Sequence, residues 1–488
     1  MIDGQHAVHD PSTPDPAPVD NPRMPALPDA LHHILAAALG DGWRTDASER
    51  LTYAFDNSRR EAMPDAVALP RTAADVQAIV RACRAHRVPV IARGRGTNTT
   101  GATVPVYGGV VVSFERMDGI VEIRPGDRCV VVQPGVLNGD LQAALAAHGL
   151  FWPPDPTSAA YSTVGGNLAC NAGGPRAVKY GACRDNVLAL TAVTGAGDLI
   201  VCGTATTKGS TGYDLHRLLV GSEGTLALIV EASLRLTPMP TARAALRATY
   251  RDVASAAEAV ARLMAQPVTP SMLEFMDGDA VALARQHMLD TTGGSDLPAD
   301  AGALLMIEAD GEAATLPAAI DALSHAARGD GALSIDAAPD EAARARLWAA
   351  RKALSPALRT LSPGKINEDV VVPVSRIPRL VTGVQQLSRE FALRIVTFGH
   401  AGNGNLHVNL MFDPANADQR ARADAAMARV FALALSLGGT LSGEHGIGMA
   451  KRDFMTQAIT RETLDVMRGL KRVFDPDGIL NPGKLLPD

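Results

Sequence analysis

Three glycine-rich segments in the first half of the chain constrain its fold most. Residues 93–101 follow a short apolar strand at 88–92, residues 162–175 combine paired glycines with Asn, Ser and Thr, and residues 221–225 repeat that character. Glycine lets a backbone approach a ligand closely, and exposed backbone N–H groups after a strand can cradle a phosphate. We therefore expect ligand-binding loops at these three places, and no packed regular element between residues 153 and 174.

The glycine spacing narrows the class of ligand. Residues 93–101 read Gly-x-Gly-x-x-x-x-Gly, which is not the Gly-x-Gly-x-x-Gly fingerprint of dinucleotide-binding folds, and no Gly-Lys-Ser/Thr follows. The first segment alone fits a plain tight turn equally well, whereas the three segments together favour a binding function. No nicotinamide dinucleotide site is predicted.

Charge, hydropathy and cysteine content exclude several classes of function. A net charge of −6 over 488 residues gives no support for nucleic-acid binding, and no apolar stretch is long enough to span a membrane. The five cysteines are scattered without a Cys-x-x-Cys pair, which fits a cytoplasmic protein and leaves peripheral membrane contact open. The length predicts two or more domains.

Residues 1–28 contain seven prolines among polar residues and are predicted to form a disordered tail. They lack the basic start and the apolar core of an export signal, and Met24 is an alternative start. We therefore expect the first folded element to begin after residue 28.

Apolar periodicity predicts an α+β chain whose character changes near Thr241. Before it, helices are expected at 31–39, at 72–87 and after Val136 as far as Gly149, with strands at 88–92, 109–114, 119–123, 129–132, 187–194, 199–202 and 225–236. Beyond it, Ala-rich helices at 253–264 and 313–327 alternate with strands such as 303–308 and 395–398. This change predicts a second α+β domain, and residues 474–484 have the composition of ordered turns.

Three of the twelve histidines lie in two glycine-punctuated stretches of the second half. His400 and His407 flank the connection between predicted strands at 394–398 and 406–412, and such a hairpin would bring both rings together. Glu444 and His445 are adjacent, so they must lie in a loop if both face one cleft. Histidine and carboxylate are usual ligands of a divalent metal, and histidine is the usual base near neutral pH. A metal site and a set of turn or interface histidines both fit this spacing.

The order of motifs in the first half resembles the FAD-binding domain of the vanillyl-alcohol-oxidase-type (PCMH-type) oxidoreductases. The resemblance covers residues 66–240, with Pro-Arg-Thr at 70–72, the loop at 93–101, Pro-Pro-Asp-Pro at 153–156, residues 163–174, Lys-Tyr-Gly at 179–181, Arg-Asp at 184–185 and residues 221–225. It implies an α+β fold: a PCMH-type FAD-binding domain of two α+β subdomains, an α+β substrate (cap) domain, and a C-terminal segment that returns to the FAD-binding domain. The implied bounds are a tail at 1–28 and these three parts at 29–240, 241–440 and 441–488.

The same resemblance implies which residues bind FAD. The first loop would hold the pyrophosphate, and the region 153–186 would line the rest of the cofactor. The implied FAD-binding residues are Arg93, Gly94, Arg95, Gly96, Thr97, Asn98, Gly101, Pro154, Asp155, Thr163, Gly165, Gly166, Asn167, Ala169, Asn171, Gly173, Gly174, Tyr180, Gly181, Glu223, Gly224 and Asn481. Some relatives attach the flavin through a histidine of the first loop, and residues 93–101 contain none, so noncovalent FAD is expected.

After residue 241 the chain resembles the 2-hydroxyacid dehydrogenase branch of this family, which includes D-lactate dehydrogenases, glycolate oxidase subunits and D-2-hydroxyglutarate dehydrogenases. The resemblance implies that His400, His407 and Glu444 ligate a divalent ion, usually zinc in relatives. It implies that His445 is the general base and also touches the substrate.

The resemblance also implies a set of substrate-binding residues. Arg351 matches the arginine that binds the substrate carboxylate, a role that suits the two parallel hydrogen bonds of a guanidinium group. Lys365, Asn367 and Asn409 complete the implied set. Asn367 stands where dehydrogenases of large hydroxy acids carry a lysine, which argues against hydroxyglutarate-like substrates.

The implied activity is FAD-dependent oxidation of a small D-2-hydroxy acid to the 2-keto acid, with electrons passed to a quinone, a cytochrome or an electron-transfer flavoprotein. The alternatives are a sugar- or alcohol-oxidising relative, an alkyl-glycerone-phosphate-synthase-like enzyme without net redox, and a flavin-free binding protein. A further alternative is the FAD subunit of a glycolate-oxidase-like complex with a separate iron–sulfur partner. A homodimer is one option for the oligomeric state.

Overall fold

The computed structural model describes residues 27–338 and 340–487. The predicted tail, apart from residues 27 and 28, and the alternative start at Met24 therefore lie outside the described residues. The elements of the first half are α1 (Asp29–Leu39), β1 (Trp43–Arg44), α2 (Ala47–Leu51), β2 (Ala66–Ala68), α3 (Ala73–Ala85), β3 (Val90–Arg93), β4 (Val110–Ser113), β5 (Ile120–Arg124), β6 (Cys129–Val132), α4 (Asn138–Ala146), β7 (Leu150–Phe151), α5 (Val164–Cys170), α6 (Ala177–Tyr180), β8 (Val187–Thr194), β9 (Leu199–Gly203), α7 (Leu215–Leu219), β10 (Ala227–Arg235) and β11 (Thr237–Pro238).

Two larger sheets and a two-stranded sheet of β7 and β11 form the first half, residues 27–240. In the four-stranded sheet, β1-β2-β4-β3, the inner strands are parallel, and α1 and α3 supply apolar residues to its core. The five-stranded sheet, β5-β6-β10-β8-β9, is antiparallel throughout and packs on α4 and α5. Apolar strands and glycine-rich segments, both predicted from the sequence, alternate along this half.

One large sheet organises the second half, residues 241–440. Its elements are β12 (Ala242–Tyr250), α8 (Val253–Ala265), β13 (Met272–Asp277), α9 (Gly278–Thr292), β14 (Ala303–Gly311), α10 (Leu316–Ala327), β15 (Ala332–Ala338), α11 (Glu341–Leu361), β16 (Gly364–Val371), α12 (Ile377–Glu390), β17 (Arg394–His400), β18 (Asn405–Phe412) and α13 (Ala417–Ser436). The strand order is β15-β12-β14-β13-β17-β18-β16, and each pair is antiparallel. Separate apolar cores lie on its two faces, because alternate residues of each strand point to opposite sides.

A closing segment, residues 441–487, returns to the first half. It contains α14 (Met455–Ala458) and α15 (Arg461–Phe474). Beyond α15, Leu480 forms a bridge with Val90 at the start of β3, and both Ile479 and Leu480 are buried. The ordered turns predicted at 474–484 are confirmed.

The prediction that residues 153–174 contain no regular packed element is wrong. Residues 164–170 form α5 despite Gly165 and Gly166, which are poor helix formers. The Thr163 hydroxyl caps the helix by accepting the Gly166 N–H at 3.2 Å, and Val164 and Leu168 are buried. Tertiary packing and a cap thus override local propensity.

The remaining predicted elements are confirmed to within a few residues at their ends. Among the described residues, no helix combines the length and the apolar character that crossing a membrane requires.

Candidate active site

A cavity of about 590 Å³ lies between the two halves. The first half contributes the loop after β3, the N-terminal part of α5 and the turn before β10. The second half contributes α11, β16, β17 and β18, and the closing segment contributes Glu444 and His445. All three glycine-rich segments therefore face the same space as His407 and His445, whereas His400 lies outside the lining.

The structure divides the expected FAD-binding residues into two groups. Those that line the cavity are Arg93, Gly94, Arg95, Gly96, Thr97, Asn98, Thr163, Gly165, Gly166, Asn167, Ala169, Glu223 and Gly224. Those that do not line it are Gly101, Pro154, Asp155, Asn171, Gly173, Gly174, Tyr180, Gly181 and Asn481. Of the second group, Asn481 supports the cavity wall from behind, because its amide donates to the carbonyls of Ala102 and Glu223, which line the cavity. Gly174 packs closely on Asp155, since a Cβ there would lie 2.5 Å from the Asp155 carbonyl oxygen.

Arg93 supports the first loop as well as lining the cavity. Its Nη1 donates to the Phe55 carbonyl at 2.8 Å and to the Thr103 hydroxyl at 3.2 Å, and the side chain is buried beneath Gly96. Most of its hydrogen-bonding capacity is thus directed into the protein.

The hairpin of β17 and β18 brings His400 and His407 together, as predicted. Their ring centroids are 5.3 Å apart, and their Nε2 atoms lie 3.4 and 3.6 Å from one oxygen of Glu444. The ligand atoms of the three side chains all lie within 4.8 Å of one another. Two imidazoles and a carboxylate that converge in this way can hold a divalent ion.

Glu274, on β13, fixes the orientation of His400. Its carboxylate is hydrogen bonded to Nδ1 of His400 and accepts Nε of Arg351 at 2.8 Å. A metal-ligating histidine commonly has such a carboxylate on its second nitrogen. Glu274 is not among the residues predicted from the sequence; the available signal was a carboxylate inside an apolar strand, which must find a partner when buried.

The charges of this cluster are strongly coupled. Burial opposes the charge of Glu274, but His400 and Arg351 outweigh it and lower the pKa of Glu274 to about 2. Burial likewise opposes the His400 cation, but Glu274 and Glu444 raise the pKa of His400 to about 10. Burial lowers the pKa of His407 to about 3, which keeps that ring neutral and able to act as a ligand.

The segment that carries Glu444 and His445 is held by Asp369, on β16. One carboxylate oxygen of Asp369 accepts the N–H groups of residues 443, 444 and 445 at 2.9, 2.7 and 2.9 Å. The other oxygen is paired with Lys451, a fully buried lysine, and lies 3.4 Å from Nδ1 of His445. Although burial opposes the charge, His445 and Lys451 hold the pKa of Asp369 well below its usual range.

The first half holds the same segment from the other side. Glu223 accepts the N–H groups of Ile447 and Gly448, the latter at 2.8 Å, and Asn98 donates to the His445 carbonyl at 2.8 Å. Glu444 and His445 lie in a loop and both line the cavity, as predicted. Asp369 and Lys451 were missed, because their partners come from distant parts of the chain.

The four expected substrate residues other than His445 also line the cavity. Arg351 lies over the Phe398 ring at 4.6 Å, and Asn367 and Asn409 face each other across β16 and β18. Both asparagines have a buried side-chain oxygen without a hydrogen-bond partner among the described residues. Lys365 lies two residues before Asn367 on the same strand face.

Known protein families match both halves of the chain. Residues 64–203 match the FAD binding domain family, and residues 239–485 match the C-terminal domain family of FAD linked oxidases. The chain is 39% identical over 437 residues to the glycolate oxidase subunit GlcD of Bacillus subtilis, an alignment that covers 89% of this chain and 92% of the relative. It is 35% identical over 432 residues to a D-lactate dehydrogenase of Anaerostipes hadrus, covering 87% of this chain and 90% of the relative.

Solved structures support the same fold. An alkyldihydroxyacetonephosphate synthase, 22% identical, matches 95% of this chain and 87% of its own with a TM-score of 0.71. A p-cresol methylhydroxylase, 16% identical, matches 94% of this chain and 97% of its own with a TM-score of 0.77. The chain therefore belongs to the FAD-linked oxidoreductases of the vanillyl-alcohol-oxidase (PCMH) type, in the branch that contains the GlcD glycolate oxidase subunits and the D-lactate dehydrogenases, and FAD is its cofactor.

Proposed function

We propose that the protein is a dehydrogenase that oxidises a D-2-hydroxy acid of the glycolate or lactate type to the 2-keto acid. The observation that carries the proposal is the convergence of Arg351, His445 and two members of the cluster, His407 and Glu444, on a cavity that the FAD-binding loops also line. FAD, when bound noncovalently there, accepts a hydride. The relatives named as glycolate oxidase and D-lactate dehydrogenase support this class of substrate.

His445 takes the hydroxyl proton in this proposal. Asp369 lies on its Nδ1 side, which leaves Nε2 as the nitrogen that receives the proton. Asp369 thereby orients the ring and favours the imidazolium that forms. The ring stacks on His407 with centroids 5.4 Å apart, which holds the base beside the cluster of ligands.

Arg351 binds the substrate carboxylate. Glu274 occupies its Nε, so the two terminal nitrogens of the guanidinium remain for a carboxylate. His400, His407 and Glu444 would hold a divalent ion, zinc being our proposal, which polarises the hydroxyl group and lowers its pKa. Glu274 contacts both Arg351 and His400, so one carboxylate orients the carboxylate anchor and a metal ligand together.

Anaerobic mixing of the metal-replete protein with D- and L-2-hydroxy acids tests the proposal. We expect loss of the oxidised-flavin absorbance with D-lactate or another D-acid, and loss of that reaction after metal removal by a chelator, with recovery on adding zinc. Dithionite serves as the control, because it reduces the flavin whether or not the metal is present. Failure of every 2-hydroxy acid to reduce the flavin of the metal-replete protein would contradict the proposal.

A second proposal concerns the electron acceptor of the protein and its assembly with other subunits. The relatives in Bacillus subtilis and Escherichia coli are named as subunits of glycolate oxidase. We propose that this chain passes its electrons to a quinone, a cytochrome, an electron-transfer flavoprotein or a separate iron–sulfur subunit. Size-exclusion chromatography of the native protein, with iron analysis of its fractions, separates a subunit of a larger complex from a homodimer or a monomer.

A further inference from the structure

The outward face of α15 exposes an apolar stripe with the spacing that helices use to pack on one another. The stripe consists of Val466, Gly469, Leu470 and Val473. These positions follow the i, i+3, i+4, i+7 pattern of one helical face, and Val466 is 64% exposed and Val473 78% exposed. The other side of the helix packs on the core through Leu464 and Phe474. The helix therefore has two packing faces, one directed into the protein and one directed outward.

Gly469, at the centre of this stripe, is not required by packing within the chain. Glycine is a poor helix former, and inside a helix it suits a place where another backbone approaches closely. Gly383 of α12 is such a place, because a Cβ there would lie 2.6 Å from Leu433 of the neighbouring helix. A Cβ at position 469 would meet only the guanidinium end of Arg472, at 4.0 Å. The space beside Gly469 is therefore open to a surface from outside this chain.

The residues of this face are arranged in reverse order on the two sides of Gly469. Val466 lies three residues before it and Val473 four residues after it, whereas Asp465 lies four before it and Arg472 three after it. Asp465 is more than half exposed and pairs with Arg468 of its own helix at 3.0 Å. Arg472 is exposed and has no carboxylate partner among the described residues. The acidic end and the basic end of the stripe are thus equally far from its centre.

A second copy of the same helix matches this arrangement when it runs antiparallel and crosses at Gly469. In a two-fold symmetric contact, residue i of one copy meets residue j of the other, and j meets i. This crossing places Val466 against Val473 of the partner subunit and Asp465 against Arg472 of the partner subunit, each of them twice. The two helices come closest where both carry glycine. The apolar stripe and its charges are therefore complementary to themselves.

We propose that α15 is the contact surface of a homodimer, in which the stripes of two antiparallel copies pack on each other at Gly469. The two reciprocal pairs of Asp465 and Arg472 select this direction of the helices. One helix face is smaller than the roughly 800 Å² per partner of a permanent interface, so the dimer should dissociate in the micromolar range. None of the residues that line the described cavity belongs to α15, so this contact leaves the active site open.

Sedimentation velocity of the full-length, FAD-loaded protein, from nanomolar to tens of micromolar concentration, tests the dimer. We expect a reversible monomer–dimer equilibrium. Gly469→Gln fills the point of closest approach and should raise the dissociation constant about tenfold or more. The same substitution should leave the melting temperature of the monomer unchanged or raise it, because glutamine is the better helix former and meets open space. A lost dimer in this variant would then not result from misfolding.

A second substitution tests the apolar part of the stripe. Val473→Glu introduces a charge opposite Val466 of the partner subunit and should also raise the dissociation constant about tenfold or more. Val201→Glu is the matched control, because Val201 is a valine of β9 that is 74% exposed and lies outside α15. The control should dimerise as the unmodified protein does.

Charge reversal tests the pairing of Asp465 with Arg472. Arg472→Glu and Asp465→Arg each place like charges opposite one another in a homodimer, and each should weaken self-association about tenfold. When the two variants are mixed in equal amounts, both pairs of the mixed dimer are again of opposite charge. The mixture should therefore recover the dimer that neither variant forms alone, a result that requires residues 465 and 472 to meet across the interface.

Several results would overturn the proposal. The purified protein could remain monomeric at every concentration, or it could form a dimer that Gly469→Gln and Val473→Glu leave unchanged, which would place the contact elsewhere. Failure of the mixed charge variants to associate would contradict the antiparallel pairing. If the isolated chain is monomeric and Gly469→Gln releases a different subunit from the native protein, another protein covers the stripe and the homodimer is wrong.

Discussion

The two walls of the candidate active-site cavity consist of different kinds of residue. The wall of the first half consists largely of glycines and small neutral side chains on loops, as at Gly94, Gly165 and Gly224. The wall of the second half carries charged and polar side chains, such as Arg351 and His407, and the buried Glu274 and His400 lie behind it. A wall made of backbone is sensitive to added volume and insensitive to charge, whereas a wall of paired charges is sensitive to every change of protonation, metal or partner.

Residues 443–448 join these two walls. Asp369 of the second half and Glu223 of the first half bind the N–H groups of five residues in this segment. His445, the proposed base, is therefore positioned from both sides.

Replacing His445, the proposed base, should slow flavin reduction by the substrate without changing FAD binding by the first wall. His445→Asn keeps a side chain of similar polarity but cannot accept a proton near neutral pH. We expect flavin reduction by the acid substrate to slow by about 10²- to 10⁴-fold, the contribution of a positioned general base. FAD content and reduction by dithionite should stay as in the unmodified protein, as measured by stopped-flow absorbance. A slowing of less than tenfold would show that another group takes the proton.

Replacing the two carboxylates that hold residues 443–448 should lower the free energy of unfolding by different amounts. Asp369→Asn removes a charge that pairs with buried Lys451, and breaking such a pair costs about 3–5 kcal/mol, the lower end being expected here because Glu368 remains 3.2 Å from Lys451. Burial raises the pKa of Glu223 in spite of its two hydrogen bonds, and Glu223→Gln keeps one acceptor, so about 1–3 kcal/mol is expected. Urea unfolding of both variants measures the two losses of stability. Equal losses would contradict the expectation that the second wall depends more on its charges than the first wall does.

Glu274 should control the affinity of the proposed metal site although it is not itself a proposed ligand. Glu274→Gln removes the carboxylate that orients His400, which should weaken metal binding about 10- to 100-fold. Glu308→Gln is the matched control, because Glu308 is also buried, lies on the adjacent strand, and accepts a hydrogen bond from Trp348 rather than from the histidine cluster. Competition with a chromogenic chelator measures both affinities. Equal weakening in the two variants would mean that any buried charge change loosens the sheet.

A larger side chain in place of a glycine of the first wall should lower both stability and FAD binding. A Cβ at Gly165 would lie 2.5 Å from the Pro134 Cβ and 2.9 Å from its carbonyl oxygen, so Gly165→Ala should cost about 1–3 kcal/mol and lower FAD content. Gly139→Ala is the control, because its Cβ would meet only ordinary contacts at 3.5 and 3.6 Å within α4. Zinc binding by the Gly165→Ala variant should persist if the two walls are independent. Retention of FAD at the level of the control would contradict the backbone role of this wall.

The sequence predicts the residues of the candidate site much better than the buried residues that hold them in place. His400 and His407 lie at the two ends of a hairpin whose strands alternate visibly, so their proximity follows from local pattern. The supporting contacts join distant parts of the chain. Glu274 contacts His400 across 126 residues, Asp369 contacts His445 across 76 residues, and Lys451 contacts Asp369 across 82 residues. Partners at such separations leave no local periodicity, and only a charge within an apolar strand marks Glu274 in the sequence.

The α5 helix illustrates the opposite error. Its glycine pair argues against a helix, yet the Thr163 cap and burial of Val164 and Leu168 compensate for it. The structural reason for the pair is tight packing, because Gly165 lies against Pro134. A glycine-rich segment therefore indicates close approach, which a helix can provide as well as a loop.

The smallest expected effect is a difference in pH dependence between the halves. Burial raises the pKa of Asp155 in the first half and of Asp277 in the second to about 7, above the ordinary value of 3.8. A carboxyl group with a raised pKa binds its proton more tightly in the folded state, so its contribution to stability is greatest below pH 3.8 and is lost as the pH rises to 7. The slope for one group is at most about 1.4 kcal/mol per pH unit.

Asp277→Asn and Asp155→Asn separate the two contributions. Asp277 is almost fully buried and accepts only neutral N–H groups, of Ala280 and Thr397, whereas Asp155 is partly exposed and lies 3.3 Å from Arg176. Each asparagine variant should gain stability relative to the unmodified protein as the pH rises from 5 to 7, and the gain should be larger at position 277, because solvent and Arg176 already moderate the charge of Asp155. Urea unfolding at pH 5, 6, 7 and 8 measures it. A stability difference that stays constant over this range would mean that Asp277 is already ionised at pH 5, and a larger gain at position 155 would mean that the more strongly desolvated carboxyl group lies in the first half.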